Sequence, residues 1–455
     1  MATDLYCVVG QGTATSGTAT ITGSPQRLVP GANTVTVTTT ATNQTFTVTM
    51  CSGTSASCAS GTATVSGSPV SCPAATVTTI TITNIVTNGT VTITVTYNST
   101  ANFSSAYTWA SSTGGTPGAG PTSSTTNVHM DANSFTNTGQ ILTVDVNCSC
   151  NNMDWTGATN TPTFYGVSIS YLYLYGNATF ISAMVTSGIT SSVFILEFMG
   201  SSTQTLNTNG LSLGCQIVTK SGSGSILSLV SNLGCQNGIA IGYGTSFLTN
   251  NYSITTYDTG QINSGIYIDD SATTVNLGSS TITIEATGGT QGWYIYHDAG
   301  GISFNAGTST IILTGNSVFA GYNLTYNVVE FSGSAFTISG SNTFNTLSFN
   351  PSGPQTITFT DGTTQTVTNF TGTNGTNVIT MVGTSTGGWY LTKSGGGVVS
   401  MDYLALSYSN ASPSTLTWYA GAHSTNTVGN TGWIFTAPPV TNLGCVIPLG
   451  FVHGR

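Results

Sequence analysis

Charge is what this chain most lacks. Of its 455 residues, 4% are Asp, Glu, Lys or Arg, against roughly a quarter in ordinary globular domains. The basic residues are Arg27, Lys220, Lys393 and Arg455. Nucleic-acid binding needs Lys and Arg to neutralise phosphates, and a polybasic membrane contact needs the same clusters, so neither partner class is expected. A run of about eighteen apolar residues is missing as well, which argues against membrane insertion. No stretch of ten residues repeats with the helical period between a cap and a stop.

Chemistry-bearing residues are also scarce. His129, His297, His423 and His453 are scattered, and the Cys148-x-Cys150 pair has no second close pair to complete a tetrahedral zinc set. No metal and no cofactor are expected. Nine cysteines, an odd number, leave at least one unpaired or bridging two chains. Met1–Gly12 (MATDLYCVVGQG) has neither a basic nor an apolar region of the kind an export signal carries, so we expect no signal peptide.

Thr, Ser, Gly and Asn fill the space that charge leaves. Such bias suits a disordered stalk, but disorder goes with low hydrophobicity and high net charge. Here 38% of residues are hydrophobic, 9% are aromatic and the net charge is −9. Thr, Val, Ile, Tyr and Phe fit a pleated, half-buried surface. The chain is therefore read as folded and all-β, kept soluble by hydroxyls and amides. Asn-x-Ser/Thr sequons such as those at Asn43, Asn88, Asn98 and Asn102 follow from composition alone.

Residues 1–98 carry an internal repeat. Ser16–Pro25 (SGTATITGSP) matches Ser60–Pro69 (SGTATVSGSP), with Cys7 falling on Cys51 at the same offset. Val35–Met50 matches Ile80–Val95 one residue further on. Each copy alternates apolar and hydroxyl residues, the period of a strand with one buried face, and Gly-Ser-Pro supplies a turn. We expect a duplicated, sandwich-like β-module of about 44 residues per repeat. Residues 99–125 lose the alternation and gain Gly, Pro and Ser, the composition of a linker.

From 126 to 435 short apolar runs recur between Gly, Asn, Ser and Thr: Val193–Phe198 (VFILEF), Thr281–Ala286 (TITIEA), Thr310–Thr314 (TIILT), Phe336–Ser339 (FTIS), Thr356–Thr360 (TITFT) and Val378–Met381 (VITM). Many gaps are about twenty to thirty residues, the length of one coil of a β-solenoid. Leu213-Gly-Cys-Gln216 returns as Leu233-Gly-Cys-Gln236. A coil of that length would set Cys215 and Cys235 one above the other at about 4.8 Å, as stacked thiols or within the Cα range of a disulfide. Residues 436–455 are read as a C-terminal tail.

In Met153–Gly157 (MDWTG), Asp154 suits a turn cap and Trp155 a buried ring that covers the first coil. Trp418, Tyr419, Trp433 and Phe435 suit a cap over the last one. The functional alternative makes Trp155, Trp418, Tyr419 and Trp433 ligand contacts, aromatic platforms for carbohydrate. For an enzyme, glycan cleavage needs two carboxyl groups. The densest of the thirteen acids are Asp269, Asp270, Glu285 and Asp298, with Glu330 beyond, and we read them as turn residues without catalytic roles. A Ser-His-Asp triad is not indicated. His297 and Asp298 are adjacent, so their side chains diverge on a strand, and no G-x-S-x-G elbow marks a serine.

Two segments, Asn127–Gly166 and Trp418–Pro439, resemble modules of tailed-phage virion proteins. Thr371–Ser409 looks like the end of such modules, and the GTAT…GSP repeat is similar to Thr-rich segments of the same proteins. The resemblance covers about half the chain, and 167–370 shares only the general coil pattern. It implies a structural part of a virion, such as a tail fibre, spike or capsid-surface fibre, and transfers no active-site residues. The expected partners are other virion proteins, further copies of this chain with a trimer favoured, and a host-surface glycan. The competing readings are a glycan-degrading spike, a capsid decoration protein, and a cellular adhesin or surface-layer component.

Overall fold

The structure is a computed structural model. It describes residues 3–7, the strand backbone between 27 and 97, and 100–439 apart from short stretches that include 189–193, 259–263, 270–271, 287–289 and 297–300. No α-helix occurs among the described residues, and none of its segments is a helix long and apolar enough to cross a membrane. The all-β expectation holds, and the body is a parallel β-solenoid. The chain divides into two compact units, Met1–Ile312 and Leu313–Arg455.

In the first unit each coil lays one short strand on each of three faces. The first face runs through Thr126–His129, Met153–Asp154, Ala178–Thr179, Thr203–Asn207 and Ile226–Leu229 to Ser303–Asn305. The second includes Ile141–Val144, Thr163–Gly166 and Val185–Gly188, then Ser212–Leu213, Leu233–Gln236, Ile254–Tyr257 and Thr281–Ile284. The third runs Cys148–Cys150, Tyr171–Leu174, Ile195–Phe198, Gln216–Thr219, Ile239–Ile241, Ile266–Asp269 and Thr290–Tyr296. Neighbouring strands on a face are parallel and in register, so each backbone amide finds its partner in the next coil.

Alternation decides which residues fill the interior. On the third face Leu172, Leu196, Ile217, Ile239, Ile266 and Trp293 form one buried column. Burying such a side chain stabilises by about 1.5–3 kcal/mol. Corners are made by Asn. Asn160, Asn209 and Asn250 take left-handed backbone, with φ of 65°, 49° and 52°, a region that Asn tolerates better than most residues. Each donates its side-chain amide to a carbonyl of the preceding coil, at Phe135 (2.6 Å), Phe180 (2.7 Å) and Leu229 (2.8 Å). A second Asn ladder climbs the edge of the first face. Asn152 donates to Asn127 at 2.9 Å and accepts from the Asn177 amide at 2.7 Å, and Asn177 accepts from the Thr205 amide at 2.8 Å.

Two boundaries differ from the sequence reading. Thr3–Cys7 does not belong with the repeat: it pairs with Thr126–His129 and Trp109–Ala110 at the start of the first face. Residues 99–125 are not a linker throughout, because Thr100–Asn102 pairs with Ile141–Val144. The reason is aromatic. Phe103 and Trp109 are fully buried, meet edge to face at 4.9 Å, and the Trp109 indole donates to the Phe103 carbonyl at 2.9 Å. In the repeat, Gly31–Thr38 pairs antiparallel with Val77–Ile85, and Gln44–Ser52 with Gly89–Tyr97. Corresponding strands of the two copies thus pair with each other.

The second unit stacks Ser317–Ala320, Ala335–Ser339, Gln355–Phe359, Ile379–Gly383, Leu404–Ser407 and Thr425–Val428 on one face. Its longer strands, Thr325–Phe331 and Asn342–Phe349, turn a corner within themselves. The buried positions change phase from Tyr326 to Val329 and from Phe344 to Leu347, and at the corner Asn345 donates to Asn327 at 3.1 Å. Gln355 and Gln365, both buried, donate to carbonyls of earlier coils, Gly333 and Gly340, at 2.8 Å each. Of the expected tail 436–455, residues 440–455 lie outside the described residues.

The inward column sets a stability test. Leu196→Ala leaves a cavity between Leu172 and Ile217 and should cost about 2–5 kcal/mol, whereas Val218→Thr, on the outward column next door, should cost less than about 1 kcal/mol. Denaturant unfolding of the two variants checks this, and equal losses would contradict the inside-outside assignment.

Candidate functional site

The residues that the sequence offered as ligand contacts are mostly interior. Trp155 is fully buried, stacked on Phe135 at 5.6 Å and edge-on to Phe164 at 5.4 Å. Trp418 is fully buried and Tyr419 nearly so. Trp418 meets Trp433 at 5.3 Å and Phe370 at 5.7 Å, both edge to face, and its indole donates to the Ser412 carbonyl at 3.1 Å. Trp433 is half-buried and donates to the Ser409 hydroxyl at 2.9 Å. A ring without a free face cannot stack on a sugar, so Trp155 and Trp418 do not act as platforms. Burial near the end of the second unit fits the capping reading for Trp418, Tyr419 and Trp433, whereas Trp155 does not cover the first coil, because Thr3–Cys7 and Thr126–His129 precede its strand on the first face.

The cysteine register also differs from the expectation. Successive coils here advance by 22 residues, pairing Leu213 with Cys235 and Ile217 with Ile239. Cys215 is therefore not level with Cys235. It turns the corner after Ser212–Leu213, while Cys235 lies within Leu233–Gln236. Both are buried free thiols. Burial pushes each thiol up, with the Cys235 sulfur adding to the effect on Cys215. The repeated Leu-Gly-Cys-Gln thus marks two different places on the coil.

The acids do not converge. Asp270, His297 and Asp298 lie outside the described residues. Asp269 ends the strand Ile266–Asp269 on the third face, whereas Glu285 follows Thr281–Ile284 on the second, its amide bonded to the Thr256 carbonyl at 3.1 Å. The width of the third face separates these corners, roughly 13 Å for a four-residue strand at about 3.3 Å per residue, beyond the ~5–9.5 Å of a glycosidase pair. Glu330 lies in the second unit, within reach of the Asn350 amide at 3.5 Å. Asp402, also there, accepts His423 Nδ1 at 2.7 Å together with the amides of His423 (2.8 Å) and Tyr403 (3.0 Å). Burial raises its pKa, but those hydrogen bonds outweigh burial and hold the carboxyl below its usual range. With the His423 ring stacked on Tyr403 at 4.8 Å, this is a corner clamp. Among the described residues no group of three His, Cys, Asp or Glu side chains is placed to hold a metal.

The arrangement with chemical content is the outer surface of the third face of the first unit. Residues between the buried columns point outward, and register aligns Tyr173, Glu197, Val218, Ala240, Tyr267 and Tyr294 in one row. Tyrosines gather at both ends. Tyr171 stacks on Tyr173 at 5.6 Å and 17°, with Tyr175 exposed beyond them. Tyr267 stacks on Tyr294 at 5.6 Å and on Tyr296 at 6.1 Å, and Tyr296 is 44% exposed. Beside Tyr267 the surface sinks into a groove of about 270 Å³ lined by Ala240, Gly265, Gln216 and Gln291 among others. Gly265 is required by the stack itself, since a Cβ there would lie 2.0 Å from the Gly292 carbonyl.

Tyr173 on this face is raised by desolvation, then by Glu197 and the neighbouring tyrosines, and two further groups titrate away from their ordinary values. Glu197 is half-buried, and desolvation raises its pKa although Lys220 pulls it down. Tyr267 is pushed up to about 12, mainly by burial, then by Asp269, Tyr294 and Tyr296. Neither residue stood out in the sequence. The signal was present for Glu197, a carboxylate in the outward phase of the apolar run VFILEF, but the tyrosines become one surface only through coil register. No protein-family model, curated protein or solved structure matches the chain.

The raised Tyr267 pKa has a measurable consequence. An unfolded chain loses this proton near pH 10, while the folded chain holds it to about pH 12. The contribution of Tyr267 to stability is therefore complete below pH 10 and lost as pH rises toward 12. Ultraviolet titration of phenolate should show a late-ionising tyrosine that disappears in Tyr267→Phe. An unchanged titration curve in that variant would contradict the packing described.

Proposed function

We propose that the chain is a non-enzymatic structural component of a phage particle, a tail fibre, spike or capsid-surface fibre that meets the host surface. The observation that carries this reading is the solenoid itself. Each unit is a stack of coils around a buried core, the chain is almost without charge, and two tyrosine clusters lie on one face of the first unit. Such a body supplies rigidity and contact area, and it agrees with the resemblance of Asn127–Gly166 and Trp418–Pro439 to virion modules. A charge-poor sheet face can also be covered by further copies, which supports a homo-oligomer with a trimer favoured. Labelling intact particles with antibody against the purified protein, viewed by electron microscopy, tests the reading. Label on the particle surface is expected. Label confined to the cell envelope would replace it with an adhesin or surface-layer role.

One observation favours the second reading, a glycan-degrading spike. Glu197 sits on the open tyrosine face with its pKa raised by desolvation, the property a general acid needs. Against it stands the pairing requirement, since cleavage takes two carboxyl groups. Incubation with surface polysaccharide should produce no new reducing ends. Product that vanishes in Glu197→Gln would make the chain an enzyme.

A further inference from the structure

The two tyrosine clusters of the first unit belong to a single row. Tyr173 reaches Tyr267 through Glu197, Val218 and Ala240, four register steps along one continuous sheet. At about 4.8 Å per step the two rings stand roughly 19 Å apart along the stacking direction. At the first cluster Tyr171 and Tyr173 present stacked rings with Tyr175 exposed beside them. At the second, Tyr267 stacks with Tyr294 and Tyr296 and lines a groove whose side-chain polar groups are the amides of Gln216 and Gln291. Between the clusters the row carries small and medium side chains, so nothing as large as a tyrosine interrupts it.

This combination suits one ligand chemistry. Tyrosine rings offer an apolar face and a hydroxyl, and a mostly apolar groove with a few convergent polar groups fixes orientation. A sugar ring has matching parts, an apolar C–H face and a rim of hydroxyls. The groove, about 270 Å³, lies at the small end of ligand sites, so it holds only a short segment of a chain. We infer that the third face binds an extended, uncharged oligosaccharide that lies along the stacking direction, one segment on Tyr171 and Tyr173 and another in the groove at Tyr267. Charge selects against anionic chains. Glu197 and Asp269 lie on this face, and Lys220 is one of only four basic residues in the protein. The inference rests on the host-contact reading and names the chemistry of that contact.

Two sites on one rigid face make chain length the readout. A ligand too short to span them gains one cluster. A ligand long enough gains both, and linkage of two weak sites raises affinity by about 10²–10⁴. The experiment is calorimetric titration of the full chain with neutral glucose, mannose and N-acetylglucosamine oligomers of two to eight units, with a sulfated series alongside. Weak binding of disaccharides and a steep rise of at least tenfold for longer neutral oligomers is the expected result. Tyr173→Ala and Tyr267→Ala should each return the long oligomer to disaccharide affinity. Ala240→Trp, which puts a large ring into the groove without removing a platform, should do the same and guards against a tyrosine variant that fails to fold.

Affinity that does not change with length in any neutral series, a preference for the sulfated series, or unaltered binding in Ala240→Trp would overturn the inference. Failure of the two readings is distinguishable. A protein that blocks particle adsorption to host cells yet shows no length-dependent oligosaccharide binding keeps the host contact and removes this site. Length-dependent binding by a protein absent from particles keeps the site and removes the virion role.

Discussion

In-register parallel pairing between successive coils is the constraint on which the rest of this protein depends. No coil can satisfy its own backbone. Each amide and carbonyl on a face is bonded to the coil before or after, as in the run from Tyr171–Leu174 to Thr290–Tyr296. An unpaired buried backbone group is costly, so the ends need covers. Trp109 and Trp418 are accordingly fully buried, one in the first unit and the other in the second. Trp109 closes on Phe103 in the first unit, and Trp418 packs with Trp433 and Phe370 in the second.

The same constraint accounts for the shortage of charge. In-register stacking sets an outward residue about 4.8 Å from its counterpart in the next coil. Like charges at that spacing repel by about 1 kcal/mol even in water, and a column of them would repeat the penalty at every coil. Amides and hydroxyls gain where charges lose, because each both donates and accepts. Asn127, Asn152 and Asn177 form such a ladder, as do Asn327 and Asn345 at a corner of the second unit. Tyrosine is another side chain that stacks well on itself, and Tyr267 on Tyr294 in the next coil follows that rule.

Much of the fold could be read from alternation. The runs at 193–198, 281–286, 310–314, 336–339, 356–360 and 378–381 each hold a strand, and alternate apolar residues such as Leu196, Ile282, Ile311, Ile338, Ile357 and Ile379 point inward. Register was beyond reach because the coil length varies. From Tyr173 the outward row advances to 197, 218, 240, 267 and 294, steps that no fixed offset follows. The Leu-Gly-Cys-Gln repeat suggested twenty residues where the pairing uses 22. Corners differ in length, so a motif can recur on opposite sides of one. Residues 99–125 show a second limit. Gly and Pro suggested a linker, while Phe103 and Trp109 carried the stronger signal of burial. The candidate site was hidden for the register reason, since Tyr173 and Tyr267 lie 94 residues apart in the chain and meet on one face only once the coils are stacked.

The distance along that row tests the account most directly. Spin labels carried by unnatural amino acids at positions 173 and 267 leave the buried cysteines untouched, and pulsed electron resonance then reads their separation. In-register stacking through four steps predicts a single narrow distribution centred near 19 Å, widened only by the label arms. A broad distribution, or a separation well beyond that value, would mean that the coils do not stack in this register and that the tyrosine face does not exist.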